Sequence, residues 1–386
     1  IASFERTRSG ENTTEVLKRQ MSRIKEMRAI DDHTVEVALN GPSQRWLYDI
    51  TSTAGIIYDL SSGQNLSEQP AGSGPSTFSR HDVGSMVSLV RNKNYWGTGP
   101  RVDEVNFRYY ADANAMVAAM LSGQLDIVSN LTVPQSVGQF SDTSRFKVLE
   151  GTTNGEVVLG FNHGNQALSN LKVRQAINHA IDRRAVLDSA WGGKGTLIGS
   201  MVPPTDPWYE DLSNTYPYDP AKAKQLLEEA GYANGLTLRM RVPTLPYAPP
   251  IAKLVAAQLR EVGIEVNVEE LDFSTWLSQV YTQRDYDMTV VAHVEPWDLP
   301  QFANPNYYWQ YNNPQFAELI NKADGAATSE EQEAILKQAA KMLADDAAAD
   351  WLFLLPNLVV TTTEISGITT NTTGLSFDMT HVATSR

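Results

Sequence analysis

The chain has 386 residues, more than one hydrophobic core normally organises, so two or three lobes are expected. A net charge of −14 argues against a nucleic-acid or anionic-membrane partner, since both require a basic patch. Cysteine is absent, which removes thiol catalysis, disulfides and thiolate metal sites and agrees with an exported bacterial protein.

The opening "IASFERTRSG" lacks a Met and the basic-then-apolar pattern of a signal peptide, and it reads as the inside of a helix in a processed or truncated chain. Residues 11–29 have helical spacing, with Val16, Met21, Ile24 and Met27 on one stripe. "DDH" (31–33) is a turn into the alternating strand "HTVEVALN", and "SMVSLVRN" and "DEVNFRYY" are further strands. Asp112 and Gly123 bracket a helix, and "QLDIVSN" then reads as a short buried strand. Strand, helix and strand in this order predict a parallel crossover. "EVVLGFNH" (156–163) opens a second block with a long helix over 169–191, whose inward positions are Leu171, Ile177, Ile181 and Val186 or Leu187. A helix capped by Asp219 and stopped by Gly231 leads into a βαβαβ series ending in "DMTVVAH", so an open α/β sheet is expected. Two more helices precede "WLFLLPNLVV" (351–360), which is a buried strand. No apolar run reaches the ~18 residues of a membrane span.

The segment after "DMTVVAH", 293–311, carries six rings in its last fifteen positions: Trp297, Phe302, Tyr307, Tyr308, Trp309 and Tyr311. Prolines keep it from being a regular helix or strand. Ligands of open α/β sheets bind beyond the carboxyl ends of strands, and this segment begins at one. Any single ring is read as core filling, whereas the segment as a whole is read as facing a ligand. Enzymatic signatures are missing: the chain has no G-x-S-x-G, H-E-x-x-H, phosphate-loop or dinucleotide fingerprint. The remaining catalytic option is a glycosidase pair of Glu295 and Asp298 beside Trp297; against it, Asp commonly serves turns and sequence neighbours rarely flank one bond. No cofactor and no metal site are expected.

Four stretches carry a resemblance. They are "GSGPSTFSRHDVGSMVSLVRNKNYWG" (72–97), "LSGQLDIV" (121–128), "LGFNHGNQALSNLKVRQAINHAIDR" (159–183) and "YDPAKAKQLLEEAGY" (218–232). Together they resemble the bacterial extracellular solute-binding proteins of family 5, which serve ABC importers of peptides, nickel and related solutes. The resemblance implies a two-lobed periplasmic-binding-protein-like α/β fold (type II) with an extra subdomain on lobe one. The lobes would comprise 1–157, 158–361 and a return over 362–386, with crossings near 151–158 and 360–364. "IASFER" is similar to the tail of a helix in the family, so the opening strands of lobe one would be missing.

The implied function is capture of a peptide or similar small solute by hinge closure, and delivery to a membrane ABC permease. The protein would act as a monomer in the periplasm or at the cell surface, without nucleic acid, and a lipid anchor would need a Cys upstream of residue 1. In the family's peptide binders an Asp of a W-x-x-D stretch holds the peptide ammonium. Here His293 stands where the Trp is usual and Pro296 near the Asp, which leaves Glu295 or Asp298 as ammonium partner. Trp297, Tyr307, Tyr308 and Trp309 would line side-chain pockets. An oligosaccharide or a nickel complex using His293 remains an alternative solute.

Overall fold

The computed structural model describes residues 1–10, 13–374 and 377–385. Helices α1 (Ala2–Ser9) and α2 (Glu15–Met21) lead into a hairpin of β1 (Ile24–Asp31) and β2 (Thr34–Leu39), followed by the short α3 (Trp46–Asp49). Helix therefore covers only part of 11–29. The ladder slips between Ile24 and Glu26, and one extra residue there brings Ile24 and Met27 to the same face. A bulged strand thus imitates the three-residue spacing of a helix. Both side chains pack with Met21, Trp46 and Ala54 in a small core.

Strands β3 (Ser76–Asp82), β4 (Met86–Arg91) and β5 (Glu104–Arg108) form an antiparallel meander. Asp112 Oδ1 accepts from Ala115 N at 2.7 Å and starts α4 (Ala113–Leu121), and β6 (Ile127–Val128) follows. The predicted crossover does not occur. β5 pairs with β4, whereas β6 pairs antiparallel with a late strand of another sheet.

That sheet organises the rest. β7 (Phe146–Phe161) is followed by α5 (Leu171–Ala180), α6 (Arg183–Trp191), α7 (Pro220–Glu229), β8 (Leu236–Pro243), α8 (Ala248–Glu261), β9 (Ile264–Leu271), α9 (Phe273–Trp276), β10 (Met288–His293), α10 (Pro314–Asp324), α11 (Ser329–Asp345) and β11 (Ala349–Thr362). The six strands lie in the order β6-β11-β7-β10-β8-β9, with β8 parallel to β9 and β10. The helix expected over 169–191 is two helices, because Ile181 is extended and Asp182 caps a new start by accepting from Ala185 N at 3.0 Å. Leu171, expected inward, is 39% exposed at the first position of α5.

Alternation along β7 sends Val157, Leu159 and Phe161 to a core under α5–α8, and Val158 to a second core under α10 and α11. β7 and β11 belong to a third core as well: Phe146, Leu358 and Val360 join Val117, Met120, Val128, Leu131 and Phe140. Each of these two strands therefore begins in one core and ends in another. Gly160 sits on the second-core face, and a Cβ there would lie 2.8 Å from Trp309 Nε1. Gly160→Ala is expected to lower the unfolding free energy by roughly 1–3 kcal/mol through overpacking against the indole, as read by urea denaturation.

Candidate functional site

Segment 293–311 is stitched to the body along its length. Tyr308 O accepts from the Tyr286 hydroxyl at 2.9 Å, and Trp309 O accepts from His163 N at 2.9 Å. The Tyr311 hydroxyl donates to Asp346 Oδ2 at 2.6 Å. Tyr308 and Trp309 are only 2% and 1% exposed, and Phe302 stacks on Trp309 with centroids 4.1 Å apart. Most of these rings thus fill the second core. Tyr307 is partly buried, edge-on to Tyr281.

The polar members form a buried relay. Asp298 Oδ2 accepts from His293 Nδ1 at 2.8 Å, which leaves Nε2 to accept from the Tyr308 hydroxyl at 2.9 Å. Burial drives the Tyr308 phenol well above its usual range and so keeps it a neutral donor. Glu295 is exposed, with Oε2 accepting from Val294 N at 3.3 Å. Among the described residues, His293, Glu295 and Asp298 are the one group of such side chains with donor atoms within 4.8 Å of one another. Both nitrogens of His293 are engaged, so the ring serves as a link in the relay.

Trp297 is placed differently. Its φ of +65° is one that a bulky side chain rarely adopts, and the indole lies half-buried at the margin of the second core. The ring stacks on Tyr48 (5.1 Å, 20°), stands edge-on to Trp208 (4.8 Å, 82°) and lies 5.3 Å from the Arg45 guanidinium. Tyr48 and Arg45 come from the N-terminal body, so Trp297 marks a seam between it and the large sheet domain.

Polar contacts hold the same seam at the end of α10. Asp324 pairs with Arg23 and accepts from Ser43 Oγ at 2.7 Å and Arg45 N at 3.2 Å. Gln44 Nε2 reaches Ala326 O at 2.9 Å. Beside Pro296, a cleft of about 690 Å³ is lined by Tyr48, Thr51–Thr53 and Ile56 together with residues of 368–374 and 377–378. Its size is that of a small-molecule or peptide site.

Behind Trp297 lies a small acidic chamber lined by Glu156, Asp206, Trp208 and Asp298. Glu156 stands directly opposite His293 in the β7–β10 ladder and shares its face of the sheet. It is 3% exposed, its Oε2 has no hydrogen-bond partner, and burial, helped by Asp298, Asp206 and Glu295, pushes its carboxyl well above the usual range. Burial likewise raises Asp206 to about 7. Sequence reasoning missed both acids. The available signal for Glu156 was a charged residue opening an otherwise apolar strand, which is unusual for a doubly covered one.

Two outcomes follow. A folded-state pKa of about 7 against an ordinary 3.8 means that Asp206 costs nothing at low pH and progressively destabilises the fold as pH rises through that window. Asp206→Asn is therefore expected to exceed the wild type in stability by roughly 1–3 kcal/mol above pH 7 and to match it near pH 3, as measured by denaturant unfolding across pH. Asp324→Ala removes the centre of the seam contacts and is expected to increase acrylamide quenching of tryptophan fluorescence while far-ultraviolet circular dichroism stays constant.

Comparison with known proteins agrees with this architecture. The pattern of the bacterial extracellular solute-binding proteins, family 5 Middle, matches residues 1–317. Heme-binding protein A of Haemophilus influenzae is 27% identical over 344 residues, 82% of this chain and 62% of that protein. A putative ABC transporter peptide-binding protein of Brucella ovis is 32% identical over 295 residues, 73% of this chain and 55% of its own. The chain thus spans between half and two thirds of the length of these relatives. Among solved structures, Helicobacter pylori DppA in complex with the peptide STSA superposes with a TM-score of 0.84 at 24% identity, covering 100% of this chain and 80% of that one. Staphylococcus aureus NikA in complex with Ni(L-His)2 gives 0.82 at 19%, covering 100% and 83%. At these identities the superpositions speak for the fold, and the family match speaks for descent: this chain belongs to the bacterial extracellular solute-binding proteins of family 5.

Proposed function

We propose that the protein is the solute-capturing component of an ABC importer, that it closes over a peptide at the seam between its lobes, and that it hands the peptide unchanged to a membrane permease. The observation that carries this reading is the cleft of about 690 Å³ beside Pro296, near the seam that Trp297 and Asp324 mark between the N-terminal body and the large sheet domain. The lobes are taken as 1–157, 158–361 and 362–386. Residues 151–158 lie against 351–357 of β11, where the ladder is irregular between Leu354 and Pro356, and this pairing favours a hinge there. Pro356 has no N–H to give the ladder.

Ligand contacts are assigned first to Trp297, which stands at the seam, and to the exposed Glu295, and then to Tyr307. Asp298 and His293 are assigned to the wall behind them, and Tyr308 and Trp309 support that wall from the core. Closure is a population shift, and its extent follows from how much better the closed form holds the ligand. The Brucella relative named as peptide-binding supports a peptide as the solute. The site of action is extracytoplasmic, the protein acts alone, and no nucleic acid is involved.

The test is a thermal-shift screen of the full-length protein against a peptide library, with mass spectrometry of each hit after incubation. A midpoint raised by several degrees, with the peptide intact, is expected. Turnover of a glycoside that disappears in Glu295→Gln would replace this reading with an enzymatic one.

A further inference from the structure

The cleft beside Pro296 owes part of its lining to a stretch without regular structure, 368–374, from which Thr369, Asn371, Thr372, Thr373 and Gly374 border the space. Its one ladder contact is a single parallel bridge from Thr372 to Thr153. What else holds it comes from the crossing strands. Thr372 N donates to Thr152 O at 2.8 Å, and Asn371 Oδ1 accepts from Thr152 N at 3.1 Å. Asn357 of β11 donates through Nδ2 to Thr370 O at 2.8 Å and to Thr372 Oγ1 at 2.9 Å. Asn154 of β7 donates to Thr373 O at 2.7 Å. Asn357 is 3% exposed and Asn154 6%, and neither lines the cleft. Both amides thus direct donors out of the ladder and onto the cleft lining.

These contacts gather where the ladder is irregular. Between the pairs Glu156↔Leu354 and Thr152↔Pro356, three residues of β7 lie against one of β11. Thr153 Oγ1 donates to Leu355 O at 2.7 Å and accepts from Gly155 N at 2.8 Å, which closes the bulge on itself. A bulge re-aims the side chains within it, and this one turns Asn154 toward Thr373. Gly151, directly opposite Asn357, completes the seat. A Cβ there would lie 2.1 Å from Thr370 O, so the missing side chain is what lets the stretch rest on the strand.

We infer that Asn154 and Asn357 are positioning residues for the captured solute: they fasten the 369–374 lining to the crossing strands and so set solute affinity without touching the solute. The inference rests on the peptide-capture reading for its solute, while the fastening itself rests on the geometry alone. Because the anchor lies at the irregular step, a bend of the ladder there carries the lining with it as a unit. Loss of either amide leaves the lining to sample other positions, and a solute must then order it on binding.

The experiment takes the tripeptide with the largest midpoint shift in a screen of tripeptides with both ends free. Its affinity is measured by isothermal titration calorimetry well below the melting transition, beside hydrogen–deuterium exchange of the unliganded protein. In Asn357→Ala and Asn154→Ala, affinity is expected to fall about tenfold and exchange over 368–374 to rise about tenfold, as loss of a buried hydrogen bond implies. Exchange in α8 and β9 stays at the wild-type rate. Asn357→Leu keeps the volume without the donors and serves where the alanine variant does not fold. Val255→Ala, fully buried on α8 in the first core, lowers the melting midpoint and leaves both readouts unchanged. Wild-type affinity or wild-type exchange over 368–374 in the Asn357 variants would overturn the inference. So would an equal loss of affinity in Val255→Ala, since affinity would then follow global stability. If no tripeptide binds the wild type, peptide capture falls and exchange alone decides: a rise confined to 368–374 upholds the fastening, and no rise overturns it.

Discussion

The pairing of β7 with β11 is the constraint on which the molecule depends. From Phe146↔Thr362 to Gly160↔Ala349 the two strands run antiparallel, and between their ends they pass from one hydrophobic core to others. Two strands of this length tie those cores together through a single ladder. The irregular steps beside Trp351 and Pro356 locally loosen that tie and let the ladder bend.

The placement of the aromatic run follows from this frame. β10 pairs with β7 on the side away from β11, so the chain leaving His293 emerges beside the crossing strands. Most of the rings turn back into the second core, and only Trp297, held at a left-handed φ, reaches the seam. Rings fill the core because the open sheet face needs covering and because Gly160 leaves room for an indole against the strand. The cost of the Trp297 conformation is offset by its contacts with Tyr48, Trp208 and Arg45.

Much of the fold could be read before the structure. The α8 and α11 helices, the parallel strands around them and the caps at Asp112 and Asp219 rest on local rules, and such rules transfer. Failures came where a local pattern had two physical meanings. Ile24 and Met27 suit a helix stripe or a bulged strand, and only pairing with β2 decides between them. Residues 169–191 carry one continuous apolar face, yet the Asp182 side chain is a better cap than a helix interior residue. The site was harder to read because burial decides it: nothing local distinguishes Trp297 from Trp309, and Glu156 and Asp206 are fifty residues apart in a chain rich in acids.

The chain of contacts from Tyr308 through His293 to Asp298 ties the surface loop to a phenol anchored by the sheet, and its backbone carbonyl is tethered too. That side of the cleft is consequently as stiff as the interior behind it. On the proposed capture reading, accommodation of guests of different shape would fall to residues 51–56, 368–374 and 377–378, where short turns and small hydroxyl side chains prevail. On that reading one part of the lining would serve as a template and the other as an adjustable cover, with discrimination in the rigid part and tolerance in the yielding one.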